Sequence, residues 1–266
     1  MSERIKLILE YDGTNYSGWQ RQINAVSVQQ RLEEAIFKLT REDVRVTGSS
    51  RTDAGVHSLG QTVHFDLETP IPPEKVAYAL NTCLPWDIRV RESCAVPGGE
   101  NGFHARFDAT GKVYRYLIQN SHHLSSMRRL YSAHIPLPLD AERMDREAQS
   151  ILGTHDFRAF AAAGSVAKDT VRTMYRVQVQ RVNGDLVMLM VHGKGFLYNM
   201  VRILAGTLIE VGLNKREPGA IARAIETGDR LQLGITAPPQ GLTLMRVFYG
   251  DDENAADYFD DPFAAI

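Results

Sequence analysis

The strongest constraint on the fold is the order in which hydrophobic periodicity alternates over the first hundred or so residues. Residues 4–11 place Ile5, Leu7 and Leu9 at every second position, which predicts a strand. Residues 27–39 switch to a helical period, with Val28, Leu32, Ile36 and Leu39 along one face and Ser27 and Gln30 as a capping box. Two strands are predicted next, at 44–47 and 61–67. In the second, Val63, Phe65 and Leu67 share one face, and Thr62, His64 and Asp66 the other. A helix over 73–83, stopped by Leu84-Pro85, and a strand over 88–95 complete the set. Strand, helix, strand, strand, helix, strand is the order of a ferredoxin-like or RNA-recognition-motif-like (RRM-like) layer, with helices on one face of an antiparallel sheet.

The second half varies this theme. A strand is predicted at 112–119, with Tyr114 and Tyr116 on the same face. A helix at 140–152 has Asp140 as N-cap and Gly153 just past its end. Strands at 170–181 and 186–192 form a hairpin through Val182-Asn183-Gly184-Asp185. Helices at 196–211 and 218–227 end at Gly212 and Gly228, and a strand at 242–249 closes the sheet. The expectation is α+β: one domain over 1–108, another over 109–250, and a frayed acidic tail over 251–266. The sequence itself does not repeat, so the duplication rests on element order alone.

At 266 residues, 44% hydrophobic and 23% charged, the chain has ample apolar material for a core. No apolar run approaches the roughly 20 residues needed to span a bilayer, and the start lacks a signal-peptide apolar region. Cys83 and Cys94 lack metal or redox spacing, so two reduced and buried thiols in a cytosolic protein are expected. Net charge is −2, but the tail holds Asp251, Asp252, Glu253, Asp257, Asp260 and Asp261 with no Lys or Arg, so the remainder is net basic. In residues 101–139, Arg106, Lys112, Arg115, Arg128 and Arg129 face only Asp108, and His104, His122, His123 and His134 lie among them. Such a local basic surface can hold phosphates on a nearly neutral protein.

Between the two middle strands runs Gly48-Ser49-Ser50-Arg51-Thr52-Asp53-Ala54-Gly55-Val56-His57. A long loop carrying Arg, Asp and His suggests use rather than connection, although an Asp beside small residues can simply make a turn. The run Arg-Thr-Asp-Ala-Gly-Val-His resembles the active-site motif of the tRNA pseudouridine synthases of the TruA family, whose aspartate is essential. The resemblance extends to three further motifs in the family's order, and it covers about residues 5 to 249. They are Tyr11-Asp12-Gly13-Thr14-Asn15-Tyr16-Ser17-Gly18-Trp19-Gln20, Phe103-His104-Ala105-Arg106-Phe107-Asp108-Ala109-Thr110 with Tyr114-Arg115-Tyr116, and Gly195-Phe196-Leu197-Tyr198-Asn199-Met200-Val201-Arg202. Ser50 stands where many members have Gly, and Asn199 where many have His.

The resemblance implies the pseudouridine synthase fold: two subdomains with antiparallel or mixed sheets joined into one extended sheet, and an active site in a central cleft. It implies isomerisation of uridine to pseudouridine at positions 38, 39 and 40 of the anticodon arm of tRNA, by a homodimer. The reaction breaks a glycosidic bond, turns the base and rejoins it through C5, so no cofactor is expected. A single carboxylate, Asp53, can act as nucleophile at C1′ or C6, or as a base on the ribose, and the residues do not choose among these routes. A cation is needed to keep a buried carboxylate ionised, and Arg202, in the motif where the family places a basic partner, is the candidate. Arg51 is the candidate to hold the place vacated by the flipped nucleotide, and Tyr114 to stack on the extruded base. Leu244 and Phe196 can wall the pocket but are core residues by default. His57, His64 and His104 lack zinc spacing, so polar strand faces or RNA contacts are expected of them and no metal. The alternative is a non-catalytic RNA-binding module of RRM-like sheets, though no run of paired sheet aromatics supports it. A hydrolase releasing free uracil is a second rival.

Overall fold

The computed structural model describes residues 2–162, 164, 168–250 and 257–260. The described chain divides into two compact units, one made of residues 2–110 with 244–250, the other of the described residues of 111–243 with 257–260. Each unit is α+β.

The first unit contains β1 (Glu3–Tyr11), α1 (Val28–Thr40), β2 (Thr47–Gly48), β3 (His57–Leu67), α2 (Val76–Asn81) and β4 (Ile88–Val96). The predicted element order is therefore present. β1 lies between β4 and β3 and is antiparallel to both. Ile5, Leu7 and Leu9 point down onto Leu32, Ile36, Leu80 and Ile88 in one core. Ser27 caps α1 by accepting from the Gln30 amide at 3.2 Å. The reciprocal half of the expected capping box is not made, because the Gln30 side chain donates to Glu34 instead.

The strand expected at 44–47 shrinks to Thr47–Gly48. Val46 does point into the core, but its backbone is claimed by helix side chains. Its N–H donates to Glu33 Oε1 at 3.2 Å, and its C=O accepts from Gln29 Nε2 at 3.0 Å. β3 in turn starts four residues earlier than expected and is buried on both faces, with Thr62 and His64 buried as well as Val63. One edge of β3 pairs with β1. Its other edge takes β2 at Val63 and His64 and, further back, the chain's last strand, Leu242–Tyr249. Gly60 permits that approach, since a Cβ there would lie 2.5 Å from the Met245 carbonyl. The predicted 73–83 helix is a 3-10 turn, Pro73–Lys75, followed by a short α2, and the thiols expected to be buried are not, Cys83 being half-buried and Cys94 exposed.

The second unit contains β5 (Ala109–Gln119) from Gly111 onward, β6 (Ala133–His134), α3 (Ala141–Ala148), β7 (Gly153–Asp156), β8 (Val171–Val182), β9 (Leu186–Gly193), α4 (Met200–Gly212) and α5 (Ala220–Thr227). Strands run in the order β5-β9-β8-β7, all antiparallel, while β6 adds a short parallel pair to β5. The hairpin expected between β8 and β9 is present, and Asn183 and Gly184 take positive φ (50° and 70°) in its turn. Asp140 caps α3 by accepting from the Arg143 amide at 2.9 Å. The helix stops at Ala148, and a 3-10 turn continues to Ile151. α4 is buried on almost every side, as a central helix must be to be apolar all round. Glu147 reaches from α3 to cap α5, accepting from the amides of Gly219 (2.7 Å) and Ile221 (2.8 Å). The short strands β6 and β7 have no clear signature in the sequence.

Most of the expected frayed tail lies outside the described residues. Within it, however, Asp257–Asp260 forms a helical turn whose Phe259 is buried, with the Arg176 guanidinium 4.3 Å from its ring centroid. That ring gives this part of the tail an anchor that its acidic composition hides.

Candidate active site

The Asp53 loop leaves β2 and returns as β3, and it is braced at both ends. At its start the buried Gln61 side chain acts as a clamp. Its Oε1 accepts from the Ser49 hydroxyl (2.8 Å) and the Ser50 amide (3.2 Å), and its Nε2 donates to the Ser50 carbonyl (2.7 Å). The Ser49 amide also donates to the Thr62 carbonyl at 2.8 Å.

Beneath the middle of the loop lies the segment after β1. The Trp19 amide donates to the Thr52 carbonyl at 3.0 Å, and the Tyr11 and Thr52 hydroxyls share a 2.8 Å hydrogen bond. The Gly55 amide donates to the Tyr16 carbonyl, and the Val56 amide closes a turn onto the Asp53 carbonyl. Two glycines make this contact possible. A Cβ on Gly13 would sit 2.0 Å from the Val56 carbonyl oxygen, and one on Gly18, at φ 88°, 2.5 Å from that of Thr52. The N-terminal motif is thus a platform for the Asp53 loop. Above it Asp53 is half-buried, and Arg51 and Ala54 are exposed.

The histidines serve this framework. His57 is buried, and its Nδ1 accepts from the Gly13 amide at 3.1 Å. The same nitrogen lies 3.2 Å from Asp12 Oδ1, but that oxygen takes its hydrogen bonds from the amide and hydroxyl of Thr14. His64 Nδ1 accepts from the Ala105 amide at 3.1 Å. Burial, helped by the charges of His104 and Arg4, pushes the His64 imidazole down to about 4, so it is neutral at physiological pH. His57 and His64 are therefore structural acceptors rather than exposed RNA contacts. Among the described residues no group of three or more His, Cys, Asp or Glu side chains could hold a metal.

Two predicted site residues lie in the second unit. Tyr114, on β5, is buried with its ring edge-on to Phe196 at 5.1 Å between centroids. Tyr116, two residues on, is fully enclosed and donates its hydroxyl to the Pro238 carbonyl at 2.8 Å, and burial raises its phenol pKa. Phe196 is not helical, because α4 starts four residues later than its apolar pattern predicts. Asn199 precedes the helix at φ 61°, a left-handed conformation that asparagine tolerates. Its Oδ1 accepts from Arg202 Nη1 at 2.8 Å, while Arg202 Nε donates to the Ala237 carbonyl at 2.9 Å. The guanidinium is thereby held from two sides by neutral acceptors. Leu244 is fully enclosed in the first unit, as a core residue.

Of the basic stretch read from residues 101–139, one member is enclosed and another is paired. Arg115 is buried, which lowers its guanidinium pKa to about 10 and still leaves it protonated at neutral pH. Arg128 pairs with Asp185 at 2.7 Å. Arg106, Arg129, His122 and His123 are exposed.

A half-buried carboxylate on a braced loop, in a chain that also holds a fixed arginine and a walled tyrosine, suits an enzyme acting on a base rather than a passive RNA-binding sheet. The family model described as tRNA pseudouridine synthase matches residues 7–108 and 148–250. Arg51, Asp53 and Arg202 fall inside the matched stretches, and Tyr114 between them. Proteins named tRNA pseudouridine synthase A from Ruminiclostridium cellulolyticum, Acetivibrio thermocellus and Geotalea daltonii are 48%, 49% and 49% identical to this chain, covering 92% of it and 99% of each relative. A solved H/ACA RNP bound to a substrate RNA containing 2′-deoxyuridine aligns with 92% of this chain and 49% of its own, at 12% identity and a TM-score of 0.39, a likeness too slight to bear on the assignment. The chain belongs to the tRNA pseudouridine synthase family. No helix among the described residues is long and apolar enough to cross a membrane.

Proposed function

We propose that this protein isomerises uridine to pseudouridine at positions 38, 39 and 40 of the anticodon arm of tRNA, with Asp53 as the essential catalytic residue. Arg202 is its basic partner, Tyr114 stacks on the extruded uracil, and Arg51 enters the RNA where the nucleotide leaves. The enzyme works in the cytoplasm as a homodimer, without metal or cofactor. Family membership supports the reaction class. The observation that carries the assignment to Asp53 is the bracing of its loop, in which Ser50, Thr52, Gly55 and Val56 are all tied by backbone hydrogen bonds.

The chemistry asks for such a loop. The C1′–N1 bond breaks, the uracil turns, C1′ bonds to C5, the C5 proton is lost and N1 takes up a proton, so nothing is oxidised and no outside group is added. One carboxylate placed beside the ribose and base serves each route open to it, as nucleophile at C1′ or C6 or as base at C2′, provided it is held still. Two domains of a non-catalytic RNA-binding protein would have no need of Asp53. The test is Asp53→Asn with tRNA tritiated at uridine C5. The variant is expected to fold and bind tRNA while releasing no tritium, and appreciable turnover would refute the role of Asp53. Sedimentation of the wild-type protein checks the dimer.

A further inference from the structure

Trp86 has no part in the site described above, yet its side chain is 93% exposed, in a residue type that proteins mostly bury. It follows Pro85 in the turn between α2 and β4. The Arg89 guanidinium lies 4.7 Å from its ring centroid. That guanidinium is itself fixed, with Nη1 donating to the carbonyls of Pro85 (2.6 Å) and Ile88 (2.7 Å). The held cation lies over the indole without shielding it, and the ring stays open to solvent. A second pair of this kind, Lys75 over the exposed Tyr78 at 5.5 Å, lies on the preceding helical segment.

The position of Trp86 matters as much as its exposure. The carbonyl of its neighbour Asp87 accepts from the Asp12 amide at 2.9 Å, and the Asp87 carboxylate accepts from the Tyr16 hydroxyl at 2.6 Å. Residues 12–16 are the turn that supports Val56 and Gly55 beneath Asp53. Trp86 therefore projects from the shoulder on which the catalytic loop rests, within the same unit.

We propose that Trp86, backed by Arg89, is a stacking ledge for an unpaired nucleobase of the tRNA, separate from the residues that handle the target uridine. The inference rests on the tRNA reading above. A flat ring over a guanidinium matches a partner that presents π-faces beside phosphates: the exposed ring stacks, and the cation favours the polyanion. A protein partner would call for a wider apolar patch, whereas Thr82, Asp87 and Arg89 around this turn are polar. Because the guanidinium already holds the ring, little side-chain freedom is lost when a base lands on it.

The chain has two tryptophans, and Trp19 is buried under the catalytic loop, so acrylamide quenching of intrinsic fluorescence reports chiefly on Trp86. In the wild-type protein Trp86 is expected to be readily quenched when free and protected at saturating tRNA. Trp86→Ala should raise KM for tRNA about tenfold, the scale of one lost base–aromatic stack, with kcat kept. Arg89→Ala should raise KM less. Equal quenching with and without tRNA, or an unchanged KM in the tryptophan variant, overturns the ledge. Shielding already present in the free protein also overturns it, and would place Trp86 against a second copy of the chain. Pseudouridine formed by the wild type in the same reactions separates the two readings. Its absence overturns the tRNA reading, and its presence with an unprotected Trp86 overturns only the ledge.

Discussion

Gln61 braces the start of the Asp53 loop with three hydrogen bonds, although it has no role in the chemistry proposed above. Replacing it with leucine keeps the volume and the strand but removes three hydrogen bonds to Ser49 and Ser50. The Ser49 hydroxyl can turn elsewhere. The Ser50 amide and carbonyl lose their bonds to Gln61 in a buried place, and each hydrogen bond lost there costs about 1.5 kcal/mol. The expected destabilisation of the first unit is therefore about 3 kcal/mol if the loop stays in place. If the loop relaxes so that Ser50 reaches water, the loss of stability is smaller and Asp53 moves instead. A displacement near 1 Å costs on the order of 100-fold in rate. The assays are a urea midpoint and kcat from tritium release, measured on the same preparation. At least one of the two should fall by the stated amount. A Gln61→Leu protein with wild-type midpoint and kcat within twofold of wild type would refute the clamp.

Asn199→Gly keeps the left-handed backbone but deletes the acceptor for Arg202 Nη1. A fall in kcat of about tenfold is expected, the scale of one hydrogen bond to a charged group, and a loss of tRNA binding instead of turnover would count against a positioning role. The second test concerns pH. Burial places the His64 pKa at about 4 in the folded protein, below its unfolded value of about 6.5, so the unfolded chain binds the extra proton first. Stability is then fully present above about pH 6.5 and declines as pH falls towards 4. His192, also lowered by burial, acts in the same direction. Thermal melts across that range should show the decline, and His64→Asn, which can still accept from the Ala105 amide, should flatten part of it. An unchanged slope in that variant would mean that other groups carry the acid sensitivity.

Local sequence determined the elements whose signals are local. β1 reads from three alternating apolar residues, α1 from Ser27 and one apolar face, and the β8–β9 hairpin from Asn183-Gly184. In each case the hydrogen-bond partners lie a few residues away, or the pattern alone selects the buried side. The Asp53 loop was visible as a long charged insertion between strands, and the ordered motifs pointed to its chemistry. Tertiary structure decided what depends on partners distant in the chain. The apolar pattern at 44–47 looks like a strand, but Glu33 and Gln29 of α1 take the backbone of Val46. The pattern at 196–211 looks like one helix, but Phe196 packs on Tyr114 of β5 and Asn199 turns the chain before the helix can begin. Gln61 looks like a polar residue on a strand and is the loop's clamp, because only the return of 49–50 beside β3 gives it three partners. A hydrophobic period reports which side of a segment is buried. It does not report which distant backbone groups will claim its hydrogen bonds, and those bonds set where Asp53 stands.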